Sequence, residues 1–420
     1  MRRPAASPDR TRRRPLRWAL AVAMLAAPLM GCGADFVPPR DTGTGVRYPV
    51  ALAVDPSQRW LYAVGADFDR AYHGGVVAVV DTVQGKIVEQ GRVEVPPFAS
   101  AALLDIDTDA AGKARRRLWV AARDDDSVTM IDVQGGDDTT PPTLSCGVEG
   151  FTDCANAWRI GGELSGDEDL GSDPIALAMQ VGDDGSRVLH VAATGNGKIT
   201  PVKVADREGG GVLATVLPGL NLGSGLAALL VAPLSQRVYV ADSRANRLHA
   251  YGLGDDGKGG LQPTTFTGVG LPRASSSEFG RGVALSSDEG RVYVAYRSPN
   301  ALLVIDVAPT ATGEPHDVLV DVIGLGGRPA QVVVAPAGPG GRDLAYVSCF
   351  GTDDIWVVDP ELRRVVDVIR LPHSPYALAI ANVPGRGRLL YAALFSKHKI
   401  AVIPIDASAS NRHEVLETIQ

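Results

Sequence analysis

One pattern recurs seven times along this chain: an apolar strand, a tight turn, a four-residue run carrying a ring side chain, a polar loop and a further apolar run. The central runs are LYAV (Tyr62), LWVA (Trp119), LHVA (His190), VYVA (Tyr239), VYVA (Tyr293), AYVS (Tyr346) and LYAA (Tyr391), separated by 57, 71, 49, 54, 53 and 45 residues. A unit of this length holds one small sheet and cannot bury both faces of that sheet alone, so successive units must pack on one another. On length, 420 residues would suit two or three ordinary domains. The unbroken repeat instead makes residues 47–420 one closed architecture.

The strands can be counted within each unit. Each central run follows an alternating or apolar stretch and a turn rich in Asp, Ser, Pro and Gly, the residues that reverse a chain most readily. A third run follows, clearest as VVAVVD, VTMID, LLVID, IWVVD and IAVIPID, which close on Asp81, Asp132, Asp306, Asp359 and Asp406. These aspartates are expected to cap the turn into an outer strand. Four strands taken seven times give an all-β, seven-bladed β-propeller of four-stranded antiparallel blades, a solution that leaves no long sheet edge exposed. The motifs VYVAD and LLVIDV resemble the YVTN β-propeller repeat family of bacterial exported proteins and archaeal surface-layer proteins. The resemblance covers roughly residues 47–420 and implies a fold more than a chemistry. Blades 3 and 4, with ITPVKV and LHAYGLG, lack the closing Asp, so irregular outer strands are expected there. The chain starts on an inner strand and ends on an outer one, HEVLETIQ; its first and last blades meet by packing alone or, if VRYP joins the last blade, share a strand.

Residues 1–31 read as an export signal. Seven arginines between Arg2 and Arg17 precede the apolar run Trp18–Met30, which is short for a membrane span. LMGC, Leu29 to Cys32, resembles the lipobox of bacterial lipoproteins, which implies lipidation of Cys32 and anchoring to the envelope, with the outer membrane as the expected address. An uncleaved anchor is the rival reading. TRRRPLR also resembles a twin-arginine signal, but Pro15 stands where that pattern prefers an aromatic residue. Residues 32–46 form a tether. Without residues 1–31 the chain keeps 34 basic and 47 acidic side chains, a net charge of −13 that argues against nucleic acid as a partner. In an exported chain, Cys146 and Cys154 are expected to form a local disulfide within an insertion at about residues 133–157, which the phasing projects from the face opposite the channel mouth. Cys349 is expected to be an inert, half-buried thiol.

The loops between second and third strands share one face with the links between blades, around the mouth of the central channel. On that face blades 1 to 3 contribute Asp67, Asp69, Asp124, Asp125, Asp126, Asp167, Glu168, Asp169 and Asp173, offset by Arg70, Arg123 and Lys198, whereas Arg244, Arg281, Arg297, Arg328, Lys397 and His398 come from blades 4 to 7, offset by Asp353 and Asp354. Two arrangements are open: an acidic crescent facing a basic one, or loop charges that are simply solvated. Arg281 and Arg328 each follow Gly just before an innermost strand. They either converge on the channel to clamp a carboxylate or phosphate, or each pairs with an acid of the next blade. Tyr296, Arg297, His373 and Asp173 complete the candidate ligand site, and Asp124, Asp125 and Asp126 form a candidate calcium position. DIDTDAAG, residues 105–112, begins like an EF-hand loop but has no closing Glu and falls on a turn.

No HExxH, GxSxG, phosphate-binding or dinucleotide-binding motif is present. A quinone-binding propeller would resemble Trp-rich repeats that five Trp cannot supply. The expected function is a monomeric binding or scaffold module for an envelope protein or glycan, with no cofactor; the alternative is a lactonase-type hydrolase with a metal in the channel.

Overall fold

The computed structural model describes residues 38–420 apart from 109–113, 138, 149–150, 152, 163–168, 224, 254–260, 263–267, 273–281, 311–315 and 339–340. The export signal, Cys32, most of the tether and Arg281 lie outside the described residues. From Pro39 onward the chain is one compact unit, and among the described residues no helix is long and apolar enough to cross a membrane.

Seven antiparallel sheets follow one another in chain order, each built on a path of four strands in the order in which they are made, with a fifth short strand beside the outer one in blades 2, 3 and 4. The seven ring-bearing anchors all fall on second strands: Trp60–Gly65, Ala114–Ala122, Arg187–Ala193, Arg237–Asp242, Arg291–Arg297, Asp343–Cys349 and Gly387–Leu394. Each anchor is essentially sealed from solvent. Two of their polar ends are paired within the same blade: Tyr62 Oη donates to Asp55 at 2.7 Å, and His190 Nε2 lies 3.0 Å from Gln180 Oε1. Burial holds the His190 imidazole down at about 4, so it stays neutral at ordinary pH, as a packing residue would.

Asp81, Asp306 and Asp359 cap their outer turns as their position implies, whereas Asp406 accepts the N–H of Arg388 on the second strand. Asp81 Oδ1 accepts the N–H groups of Val83 and Gln84 at 2.9 Å, and Asp359 Oδ1 those of Glu361 and Leu362 at 3.1 and 2.9 Å. In blades 3 and 4, which lack the closing Asp, the outer strand breaks as expected, and blade 2, which keeps Asp132, breaks as well. Blade 3 pairs Val212–Val216 and Leu220–Asn221 separately to its third strand, and blade 4 does the same with Leu261–Gln262 and Val269–Gly270.

Apolar clusters fill the blade-to-blade interfaces, so the core is a ring of side-chain layers around the axis. The seam between the last and first blades is built in the same way. Leu61, Ala63, Val76, Ala78 and Val80 meet Ala379, Ala381, Leu389, Tyr391, Ile400 and Val402. Blade 7 draws all four strands from Pro375–Val383 to Glu417–Ile419, so no strand is shared between the termini. Hydrogen bonds reinforce the seam, from Tyr48 N to His398 Nδ1 and from Asn382 N to Gln58 Oε1, both at 2.9 Å.

The insertion differs from its expected position. It does not project from the far face: Pro142–Ser145 and Arg159–Gly161 both pair with the third strand, Ser127–Gly135, and form the outer edge of blade 2. The Cys146–Cys154 disulfide lies between them. The physical reason is a long third strand with an unpaired edge, which two short strands cover more economically than one loop in water. Gly147, at φ +82°, is required here, because a Cβ would stand 2.2 Å from Trp158 Nε1.

Candidate functional site

Inside the ring the channel is lined mainly by apolar side chains, from Val50–Leu52, Ala101, Ala102, Ile175–Leu177, Ala227–Leu229, Val283 and Ala330, with Ser100, Gln331 and Tyr376 as its polar side chains among the described residues. It opens on the face of the second-to-third strand loops into a cavity of about 310 Å³ lined by Phe68, Phe98, Phe350, Tyr376 and Phe395, together with Arg123, Arg297 and Arg328. The chain has eight Phe, and four of them stand at this mouth. In a protein whose core is built from Val, Leu and Ala, that concentration is local and needs a local cause.

The backbone that carries these rings is itself specialised. Just before an innermost strand begins, Tyr48, Phe98, Asp173 and Arg328 adopt the left-handed conformation at φ +44°, +55°, +65° and +56°. Non-glycine residues avoid that region because Cβ crowds the following carbonyl, at a cost of roughly 1–2 kcal/mol each. The carbonyls of these residues accept N–H bonds from the residue that follows the second strand or from its near neighbour: Ala66 to Tyr48 at 3.2 Å, Arg123 to Phe98 at 3.1 Å, Thr194 to Asp173 at 2.9 Å and Phe350 to Arg328 at 3.1 Å. The same bond recurs from Ser243 to Gly225 and from Phe395 to Ser374, each at 3.2 Å. A clamp repeated in six blades makes the mouth a preformed rim, and the strained turns turn Phe98 and Arg328 toward the axis.

The rings form a continuous arc across blades 6, 7 and 1. Phe98 is 5.4 Å from Phe68, Phe68 is 5.5 Å from Phe395, and Phe395 is 6.0 Å from Phe350 and 5.9 Å from Tyr376. Such spacings are those of edge-on and tilted aromatic pairs. Phe68 is nonetheless 51% exposed, an open apolar surface beside the cavity. Arg328 extends over the Phe350 ring at 5.6 Å and donates its backbone N–H to Asn300 Oδ1. Arg297, buried, donates from Nε to the Pro329 carbonyl at 2.8 Å, which fixes its guanidinium at the mouth.

The remaining sequence candidates separate. Tyr296 alternates away from Arg297 and is buried between blades 4 and 5, where its hydroxyl bonds Asn246 Oδ1 and the Pro272 carbonyl at 2.9 and 2.6 Å. His373 is half-buried in the link to blade 7 and does not line the cavity. Asp173 holds Arg123 through two bonds of 3.0 and 3.1 Å, so that pair stands at the rim as a neutral unit. Asp124, Asp125 and Asp126 diverge: Asp124 pairs with Arg70, Asp125 with Arg159, and Asp126 accepts the N–H of Asp173. Asp69 pairs with Arg47 at 3.1 Å and Asp169 with Lys198 at 2.8 Å, so five acids of this face, Asp69, Asp124, Asp125, Asp169 and Asp173, are each matched by a local cation rather than left to face a basic crescent across the mouth. Asp105 and Asp107 of the EF-hand-like stretch bind Arg187 and Arg115. Cys349 is buried, and burial pushes its thiol up to about 12.

Asp67 is the one acid of this face that burial pushes up, to about 6. Its carboxylate accepts the Tyr72 N–H at 3.2 Å, in a left-handed turn at φ +46° that Asn also tolerates. A carboxyl whose native pKa exceeds its unfolded value binds protons more tightly when folded. Its charge therefore costs stability above about pH 6, and the cost disappears as pH falls below the unfolded value. Asp67→Asn is expected to stabilise the protein by about 1–3 kcal/mol at pH 8 and by nothing measurable at pH 4, read from urea midpoints at the two pH values.

The aromatic arc escaped the sequence reading, although a signal was present: Phe350 and Phe395 each directly follow a second strand and Phe68 lies three residues beyond one, the same place in three repeats. The cavity's described lining contains no carboxylate, imidazole or thiol. Its chemistry is stacking against rings and hydrogen bonding to guanidinium groups.

No protein-family model and no curated protein sequence matches the chain. Solved structures similar to it include the periplasmic gluconolactonase PpgL of Pseudomonas aeruginosa, 14% identical at a TM-score of 0.56 over 91% of this chain and 94% of that one. Hydrazine synthase of Kuenenia stuttgartiensis is 15% identical at 0.55, over 90% and 100%. The β-propeller domain of Myceliophteria thermophila Cps50 (Swd1) is 9% identical at 0.52, over 85% and 96%. Likeness at such identities extends to the fold and no further. By architecture, this chain is a seven-bladed β-propeller of four-stranded antiparallel blades.

Proposed function

We propose that the protein is an exported binding module of the YVTN-repeat type, held to the bacterial outer membrane through lipid on Cys32 and acting as a monomer, and that its mouth captures an acidic glycan of the envelope. The observation that carries this reading is the gathering of four of the eight Phe with Arg297 and Arg328 around one preformed cavity. A sugar ring presents an apolar face that stacks on aromatic side chains, and a uronic-acid carboxylate matches the planar fork of a guanidinium. Oligosaccharides bearing uronic acids should therefore be retained by the immobilised protein, and their methyl esters should not. Arg297→Ala combined with Arg328→Ala should weaken retention by at least about tenfold, since two charge-assisted bonds are lost. Equal retention of ester and acid would remove the proposal.

The likeness to a gluconolactonase supports a second reading, hydrolysis of a sugar-acid lactone at the same mouth. Acid release from glucono-lactone that disappears in the double arginine variant would favour it over binding alone.

A further inference from the structure

A second cavity, of about 370 Å³, lies where the outer strand of blade 1 meets the disulfide loop of blade 2, and His73, Glu94, Asp125, Asp153 and Arg159 are among its lining. His73 Nδ1 is 2.6 Å from Glu94 Oε1 and 3.1 Å from Asp153 Oδ1. Among the described residues this is the group of His and carboxylate side chains whose ligand atoms all come within 4.8 Å of one another. Three separate segments supply them, and each is held in place. The His73 N–H donates to the Pro39 carbonyl at 3.0 Å. Glu94 and Asp153 form a backbone bridge, and Asp153 adjoins Cys154, whose Sγ lies 3.3 Å from the Glu94 carbonyl oxygen. Glu94 is 2% exposed, and a carboxylate buried to that degree requires a cationic partner. Arg40 supplies the charge, with Nη1 2.6 Å from Glu94 Oε2 and 3.3 Å from Asp153 Oδ1. Its side chain is partly exposed and lies on the segment that precedes blade 1, so it is an exchangeable counter-cation rather than a packed one.

We propose that His73, Glu94 and Asp153 form a binding site for a divalent transition metal of the zinc class, which displaces the Arg40 guanidinium and ties blade 1 to the disulfide loop. An imidazole nitrogen with two carboxylate oxygens suits zinc, whereas calcium and magnesium prefer oxygen alone. Ligands about 2.0–2.1 Å from a tetrahedral zinc stand roughly 3.3 Å apart, so the two separations from His73 need to open by less than an ångström. Three protein ligands leave a fourth position for water, facing the open cavity.

The test uses the full chain, stripped with a chelator and titrated calorimetrically with zinc chloride and, separately, with calcium chloride. One equivalent of zinc is expected to bind, with calcium at least about 100-fold weaker. His73→Gln should weaken zinc by at least about tenfold, because the nitrogen donor is gone. Asp153→Asn, at an exposed position, repeats that test should His73→Gln fail to fold. Arg40→Met should strengthen zinc binding several-fold by removing the competing cation. If the parent and Arg40→Met both take up no zinc at millimolar concentration, or if the His73 and Asp153 variants bind as tightly as the parent, the site is an ion-pair cluster and the proposal is overturned.

Discussion

Truncating Trp119 to alanine is expected to lower the free energy of unfolding by about 3–5 kcal/mol, the range for emptying a large aromatic site in a rigid core. Trp119 has no exposed surface and sits on the second strand of blade 2, opposite Leu103 on one side and Met130 on the other. Its indole nitrogen meets no acceptor among the described residues, so the loss is one of packing rather than of a hydrogen bond. Cavity formation dominates because neighbours drawn from two interlocked sheets cannot collapse into the gap without disturbing the next blade. Trp119→Phe, which keeps most of the volume, should cost less than half as much. Urea unfolding read by circular dichroism measures both, and a change below about 0.5 kcal/mol for the alanine variant would mean that the ring does not pack as described.

The second large effect is electrostatic. Asp55 is 1% exposed and its carboxylate serves three donors: Tyr62 Oη at 2.7 Å, Arg116 Nη1 at 2.6 Å and the Ser57 N–H at 3.0 Å. Because Arg116 belongs to blade 2, this one acid joins two blades. Desolvation, with the adjacent carboxylate, drives the Tyr62 phenol far above its usual range, so it remains a donor at every accessible pH. Asp55→Ala takes the carboxylate from a largely buried guanidinium and leaves a sealed hydroxyl without its acceptor, at a cost of about 3–5 kcal/mol. Replacing all three, as Asp55→Ala, Tyr62→Phe and Arg116→Met, should recover more than half of that loss, because the uncompensated groups depart with the acid. Equal destabilisation in the single and triple variants would show that packing, not charge satisfaction, sets the cost.

The ring of blades was legible because its physics is periodic. Each second strand must bury one large side chain between neighbours, and Tyr, Trp or His at a regular spacing displays that demand directly; the missing closing Asp marked the broken outer strands of blades 3 and 4 but not that of blade 2, which keeps Asp132. The mouth was only partly legible. Arg297 and Arg328 were identified from their place in the repeat, but charge counting along loops could not show that Asp69, Asp124, Asp125, Asp169 and Asp173 are each matched by a nearby cation. Those pairs join residues up to 54 positions apart, and pairing at such range depends on geometry that composition does not carry. Phe68, Phe98, Phe350 and Phe395 were overlooked for a different reason: an apolar ring after a strand reads as a strand end until the blades close and bring four of them to one opening.

That opening can be interrogated directly. With 4-fluorophenylalanine incorporated throughout, a ¹⁹F NMR titration with a uronate oligosaccharide should shift the resonances assigned, by single Phe→Leu variants, to Phe68, Phe98, Phe350 and Phe395. The Phe151 resonance, on the disulfide loop, should stay in place. Shifts that leave those four untouched, or that the methyl ester produces equally, would contradict an anion-binding aromatic mouth.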